Sequence, residues 1–406
     1  MTGKGAVHRS ELLRKGQQVG TPLYLYEVAR VREEAQNLRS ALPDGARLLY
    51  SLKANPLPPV VAAALDAGCG TEVSSPGELS CAVAAGADPT TVLYTGPGKS
   101  RAEIDTAVSR GARLFSCESP TELHRLSDAA RAADRELRVL LRLQPPTRAA
   151  SGLSMADGRQ FGFEPDEAVE SWRTAGHGLA LNGFHVYAGS QLGTVEHLLE
   201  SFTHARDVID MVAEKTGTEP RVMDLGGGFP WPYATTGEGP ALTGLREGLE
   251  ALLGDTTREV WFETGRRITA PAGELLLTVV DVKPRGEGVI VVADGGINVL
   301  GGMSGLGRVL RMTASVENLS APHDREQVVA DLVGPLCTPL DRLAARITIP
   351  RPTPGDILRI PNVGAYGATA SLLAFLTRPA PLELVTDNGN ETGRWPTGTH
   401  PALADR

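Results

Sequence analysis

Over the first two-thirds of the chain, short apolar and β-branched runs alternate with longer stretches of helical periodicity. The runs Arg47–Ser51, Thr71–Val73, Thr91–Tyr94, Arg113–Phe115, Arg138–Leu143, Leu181–Tyr187, Arg221–Leu225 and Glu259–Glu263 predict strands. Stretches such as Leu57–Ala67, Pro76–Ala85, Pro120–Ala133, Val195–Lys215 and Gly244–Leu253 predict helices between them. Eight strands, each followed by a helix or a loop, predict a parallel (β/α)8 TIM-like barrel over residues 28–264. A doubly wound sheet shares the alternation, but eight successive units without a change of pattern favour closure. The beat stops near Thr264. From Pro271 onward, Leu275–Val282, Gly288–Ala293, Val328–Leu332, Ile357–Ile360 and Leu382–Val385 follow without helices, which predicts a second, mainly antiparallel β domain. The strand-like Thr21–Tyr26 precedes the helix-like Val28–Leu42 and is assigned to that domain, making it discontinuous (1–27 and 265–386). Residues 387–406 are polar and turn-rich and read as a mobile tail. No internal sequence repeat is evident.

Composition narrows the class. The length of 406 residues allows two or three domains, and 41% hydrophobic with 22% charged residues describes a globular chain with a sizeable core. A net charge of −8 and only 5% aromatics argue against nucleic acid as a partner. The first residues, MTGKGAVHRSELLRK, lack the apolar region of a secretory leader, and runs such as Leu275–Val280 are too short to span a bilayer. The expected location is the cytoplasm, with no membrane partner. Cys69, Cys81, Cys117 and Cys337 are widely spaced without a C-x-x-C pair, so neither a metal site nor a disulfide framework is expected.

In a barrel, chemistry gathers at the C-terminal ends of the strands. Lys53 closes the first predicted strand (YSLKANP), Arg142 the fifth and Glu263 the eighth; His185 lies late in the sixth, and Gly226, Gly227 and Gly228 follow the seventh. The loops after strands seven and eight often hold a phosphate in this architecture. Three consecutive glycines let backbone amides approach an anion, and Gly265 with Arg266 would complete the cradle. The glycines could equally be a strand-closing turn. The segment GPGKS (Gly96–Ser100) is not a P-loop, because Leu93 stands where that motif needs glycine. A desolvated lysine at a strand end can form a Schiff base with an aldehyde. Joined to a phosphate cradle, that points to pyridoxal 5′-phosphate (PLP).

The ordered motifs YSLKANP, EVSSPGEL, FHVYAGSQ, DLGGGF, ETGR, GPLCTPLD and GAYG resemble those of the barrel-type (fold type III) PLP-dependent decarboxylases that include ornithine and diaminopimelate decarboxylases. The likeness runs from about Thr21 to about Leu384. It implies that Lys53 carries the cofactor, Glu263 faces its pyridine nitrogen and His185 stacks on its ring. It further implies that Ser190, Gly228, Gly265, Arg266 and Tyr366 hold the phosphate. Cys337 would come from the partner subunit of a homodimer with shared active sites and protonate the carbanion left after carbon dioxide departs. Glu78 and Asp294 also match family positions, as supporting residues.

Departures from the family pattern bear on the substrate. Relatives acting on basic amino acids place an acid directly after the cysteine; here that position is Thr338. The stretch Gly295–Ser315, expected to line the distal pocket, carries Arg308 and Arg311 and no acid, although Asp331 or Asp341 could supply one from elsewhere. The two arginines would suit a distal carboxylate or a phosphopantetheine arm, or else simply face solvent. These departures resemble a subgroup from natural-product and siderophore pathways, some of whose members act on an amino acid tethered to a carrier protein. The expected activity is therefore PLP-dependent α-decarboxylation of an amino acid with a non-cationic or carrier-tethered distal group. Decarboxylation of a free diamino acid is the alternative. A racemase of similar fold is disfavoured by Glu263, since such enzymes set an arginine on the pyridine nitrogen, and an inactive regulatory homologue is disfavoured by the presence of both Lys53 and Cys337.

Overall fold

The computed structural model describes residues 3–145, 160–301, 313–322 and 324–398, with backbone alone for residues 3–7. The chain opens with helix α1 (Gly3–Val19), strand β1 (Leu23–Glu27) and helix α2 (Val28–Ser40). Eight parallel strands then close into a barrel: β2 (Arg47–Ser51), β3 (Gly70–Val73), β4 (Leu93–Tyr94), β5 (Leu114–Cys117), β6 (Leu137–Leu143), β7 (Leu179–Val186), β8 (Val222–Asp224) and β9 (Glu259–Thr264). β9 pairs back onto β2, so no edge is left open.

The connecting helices are α3 (Pro58–Asp66), α4 (Pro76–Ala84), α5 (Arg101–Ser109), α6 (Pro120–Ala133), α7 (Pro165–Arg173), α8 (Val195–Thr216) and α9 (Leu245–Leu253). Their starts are written in the sequence. Ser75, Ser100 and Ser119 each accept the backbone amide of a glutamate three residues on, the S-x-x-E signature of a helix N-terminus. Proline at the first turn of α3, α4, α6 and α7 fits a position whose N–H has no helical partner.

One apolar layer fills the barrel: Leu49, Leu93, Leu114, Leu140, Val222 and Trp261, all buried. Side chains on a strand share a face every second residue. Two positions further along, the same strands carry Ser51, Thr95, Ser116, Arg142, Asp224 and Glu263, and β3 and β7 add Glu72 and His185. A polar layer thus rests on the apolar one at the C-terminal end of the barrel.

A second compact unit comprises residues 1–31, 232–238 and 269–404; the barrel unit comprises residues 32–231 and 239–268. The second unit is built on a nine-stranded mixed sheet. Its strands are β1, β10 (Gly273–Arg285), β11 (Gly288–Ala293), β12 (Glu317–Asn318), β13 (Gln327–Val333), β14 (Arg342–Pro350), β15 (Ile357–Ile360), β16 (Leu382–Asp387) and β17 (Asn390–Pro396). Pairing is antiparallel except for β1 with β16 and β11 with β13. The tail read as mobile is corrected here: Asn390–Pro396 pairs with β16 as an edge strand. The helix α1, β14 and β17 have no counterpart in the sequence expectations. The α1 helix seats Leu12 among Leu23, Leu25, Leu276 and Ile357, while Arg9 donates to the carbonyls of Asn318, Leu319 and Ala321.

Candidate active site

The polar layer opens into a cavity of about 250 Å³ whose lining includes Lys53, Glu72, Arg142, His185, Tyr187 and Glu263. Lys53 follows β2 in a short 3-10 turn, Leu52–Ala54. Its side chain is about one-third exposed, and Nζ reaches the two Glu72 oxygens at 3.4 and 3.3 Å. Burial alone would raise the Glu72 carboxyl. The Lys53 charge and hydrogen bonds from Ser51, Thr95 and Lys53 outweigh it, holding that group below the usual carboxylate value.

In the same polar layer, His185 Nε2 stands 3.6 Å from Glu263 Oε1, and both groups are buried. Burial, reinforced by the charges of Arg142, Lys53 and Lys99, pushes His185 well down, so its imidazole is neutral. Burial, with Asp224 and Glu72 adding repulsion, pushes Glu263 well up. Asp224 rises to about 7, again chiefly through burial, although the Gly226 amide donates to it at 2.9 Å. One donor atom each from His185, Asp224 and Glu263 lies within 4.8 Å of the others.

The glycines after β8 and β9 meet the demands of a cradle. Gly226 and Gly228 have positive φ (+69° and +109°), and a Cβ on Gly228 would come within 2.8 Å of Leu192. A Cβ on Gly227 would run into the Glu263 carbonyl, and one on Gly265 would lie 2.8 Å from the Ser51 carbonyl. Ser190, half-buried, sits in a loop zipped onto this turn: Leu192 N–H donates to the Gly228 carbonyl, and the Gln191 amide brackets Trp231 in both directions. Gly265 leads directly into the short helix α10 (Arg266–Thr269), placing Arg266 beside it.

PLP fits this chemistry. Glu263 Oε1 is buried with no hydrogen-bond partner among the described residues, an acid that a pyridine nitrogen would satisfy, and the buried His185 beside it offers a flat ring on which an aromatic cofactor could stack. The glycine turns and Arg266 would hold the phosphate, and Lys53 would supply the amine. Sequence reasoning missed Glu72, Thr95, Ser116 and Glu118. The last ties Arg142 Nη1 (2.8 Å) to the Gly162 amide (3.2 Å). The signal for Thr95 and Ser116 was the period of two, counted on from Leu93 and Leu114 of the apolar layer. Glu78 is a capping residue: its amide donates to Ser75 Oγ, and it accepts the Ser74 amide at 2.7 Å.

Cys337, Thr338 and Tyr366 belong to the β-sheet unit. Cys337 is exposed, and Thr338 N–H donates to the Leu336 carbonyl at 2.9 Å. Tyr366 has positive φ (+56°), and its carbonyl accepts from Tyr233 Oη at 3.0 Å. Asp294 binds Thr278 N–H and Thr21 Oγ1 and so fastens strands together. Arg308 and Arg311 lie outside the described residues.

Fold and site together define a barrel enzyme of the PLP type. Residues 28–270 match the family of the pyridoxal-dependent decarboxylases over its pyridoxal-binding domain, and the chain belongs to that family. It is 29% identical over 398 residues to an L-glutamyl-[BtrI acyl-carrier protein] decarboxylase of Niallia circulans, covering 94% of this chain and 92% of that one. It is 31% identical over 379 residues to a diaminopimelate decarboxylase of Aquifex aeolicus, covering 92% and 88%. Among solved structures, diaminopimelate decarboxylase from Helicobacter pylori in complex with L-lysine superposes with a TM-score of 0.80 at 27% identity, covering 91% of this chain and 92% of that one. The protein is thus a PLP-dependent amino-acid decarboxylase. No helix among the described residues is long and apolar enough to cross a membrane.

Proposed function

We propose that this decarboxylase acts on an amino acid whose far end carries no free cation, including one tethered to a carrier protein. The observation that carries this reading is the commitment of the two acids nearest the cysteine loop. Asp341 is buried; Oδ1 accepts the Ile297 amide at 2.8 Å and Oδ2 the Leu336 amide at 2.7 Å. Asp331 accepts the Arg346 amide at 2.7 Å. Asp341 thus has both oxygens engaged and Asp331 one of its two, and burying a distal ammonium without a carboxylate costs several kcal/mol. The name of the Niallia circulans relative supports an acyl-carrier substrate. The similarity to diaminopimelate decarboxylases supports a free diamino acid instead, as does Glu103, an acid in the cavity lining.

Bound PLP supplies the electron sink for the pair released when the carboxylate leaves. Lys53 would anchor the cofactor, Glu263 would keep a proton on its ring nitrogen, and the neutral His185 would cover the ring. Glu72 would hold Lys53 charged until the cofactor arrives. Cys337, contributed by the partner subunit of a homodimer, would deliver a proton from Sγ to the substrate Cα. The test is turnover of lysine, ornithine and diaminopimelate against acidic amino acids, each free and carrier-bound. Highest kcat/KM on a carrier-bound or acidic substrate is expected; highest kcat/KM on a free diamino acid overturns the reading.

A further inference from the structure

We infer that Lys99, in the GPGKS segment that resembles a P-loop without being one, is a positioning residue that fixes the His185 ring through Ser116. Lys99 lies in the β4–α5 loop with its side chain 1% exposed. Nζ donates to the Gly96 carbonyl at 2.5 Å, the Ser116 carbonyl at 2.8 Å and Glu122 Oε1 at 2.7 Å, so all three of its protons are used. The other Glu122 oxygen accepts the Glu118 amide. The ion pair therefore clamps both sides of the β5 end. Ser116, held by its carbonyl, shares a 2.8 Å hydrogen bond between Oγ and His185 Nδ1. One buried lysine thus holds the backbone of the residue whose hydroxyl hydrogen-bonds the imidazole.

A surface cation could not do this, because a solvated ammonium exchanges its partners. A buried one with three acceptors holds the Ser116 carbonyl, and with it the Cα from which Oγ reaches His185, in place. The charge has a second effect at the same ring. Burial first, and then the charges of Arg142, Lys53 and Lys99, oppose protonation of the imidazole, while Glu263 and Asp224 each bring a carboxylate oxygen within 4.8 Å of a ring nitrogen. A neutral, fixed ring is what a face-to-face aromatic contact needs.

The inference rests on His185 covering the cofactor, and the experiment separates the two ideas. Affinity of the apoenzyme for PLP is measured for wild type, H185A, S116A, K99M/E122Q and the triple variant S116A/K99M/E122Q. Glutamine at 122 still accepts the Glu118 amide and avoids a stranded buried carboxylate. Losing one buried hydrogen bond predicts a Kd for PLP about tenfold weaker in S116A and in K99M/E122Q, with no further loss when they are combined, because both act on one ring. Additive losses, or an unchanged Kd beside a weakened H185A, overturn the role of Lys99. An unchanged Kd in H185A overturns the reading of His185 itself. Histidine-labelled wild-type apoenzyme gives an independent readout by 15N NMR: His185 should remain a single neutral tautomer between about pH 5.5 and 8.5. A ring that titrates near the ordinary histidine value overturns the inference even if no variant folds.

Discussion

Replacing Glu383 by glutamine isolates the electrostatic cost of one carboxyl buried in the β-sheet unit. Glu383 lies on β16, 2% exposed, with Tyr26 Oη donating to it at 3.1 Å. Burial raises its pKa to about 7, against the partial opposition of the Tyr26 hydrogen bond. The folded state therefore holds the proton more tightly than the unfolded chain. Stability from this group is complete below about pH 4.5 and declines as pH rises through about 7. Moving a carboxyl from about 4.5 to about 7 costs the folded state about 3 kcal/mol once it is ionised. Glutamine keeps an acceptor for Tyr26 and has no proton to lose. Its cost in an unmatched N–H is the same at every pH, so the signature is the slope. The difference in unfolding free energy between E383Q and wild type should shift in favour of E383Q by about 2.5 kcal/mol between pH 5 and 8.5. Trp395, directly across the ladder from Glu383, gives a local fluorescence readout of urea unfolding. A difference that stays flat over that range would refute the reasoning, since it would mean that the carboxyl ionises in the fold without penalty.

Borohydride treatment of the PLP-loaded enzyme should fix the cofactor mass on Lys53; a label on another lysine, or a protein that PLP neither colours nor activates, refutes that assignment. Mixing inactive K53A and C337A subunits should restore up to about a quarter of wild-type activity by random pairing in a two-fold dimer. No recovery despite demonstrated subunit exchange would mean that each site is built from one chain. Glu263→Gln should lower kcat about a hundredfold or more while the protein still binds PLP, because an amide cannot keep the ring nitrogen protonated. An unchanged kcat would remove Glu263 from that role. Gly265→Ala should weaken PLP binding, as its methyl would press on Ala54 and the Ser51 carbonyl; unaltered affinity in a titration of the apoenzyme would show that the close approach is not required.

The barrel was legible because short β-type runs alternate regularly with helical stretches, three of which announce themselves with S-x-x-E caps. Lys53, Arg142, His185 and Glu263 were legible as strand-end residues whose chemistry converges. The β17 strand was not, because an edge strand exposed along nearly all of Asn390–Pro396 needs no apolar alternation. The α1 helix was missed for a related reason: its buried stripe mixes Leu12 with Lys15 and Gly16, and such a stripe in a polar sequence has weak apolar periodicity. Lys99 was passed over because its segment was tested against one phosphate-binding pattern and failed it. What identifies it is a set of three acceptors on separate elements, which no local spacing encodes. Nor did the sequence separate the capping role of Glu78 from a role in the site, since both place a glutamate after S-P-G.

Two lysines line the same cavity, and an aldehyde entering it meets both. Only an amine that can release a proton is a nucleophile. Lys99 would have to break three short hydrogen bonds, one of them to a buried carboxylate, before exposing a lone pair. The contacts of Lys53 Nζ to Glu72 are longer, at 3.3 and 3.4 Å. The barrel therefore sets chemoselectivity by saturating one amine rather than by activating the other alone. The consequence extends to reagents: acylating or aldehyde probes of modest size should modify Lys53 with one-to-one stoichiometry while Lys99 stays unlabelled.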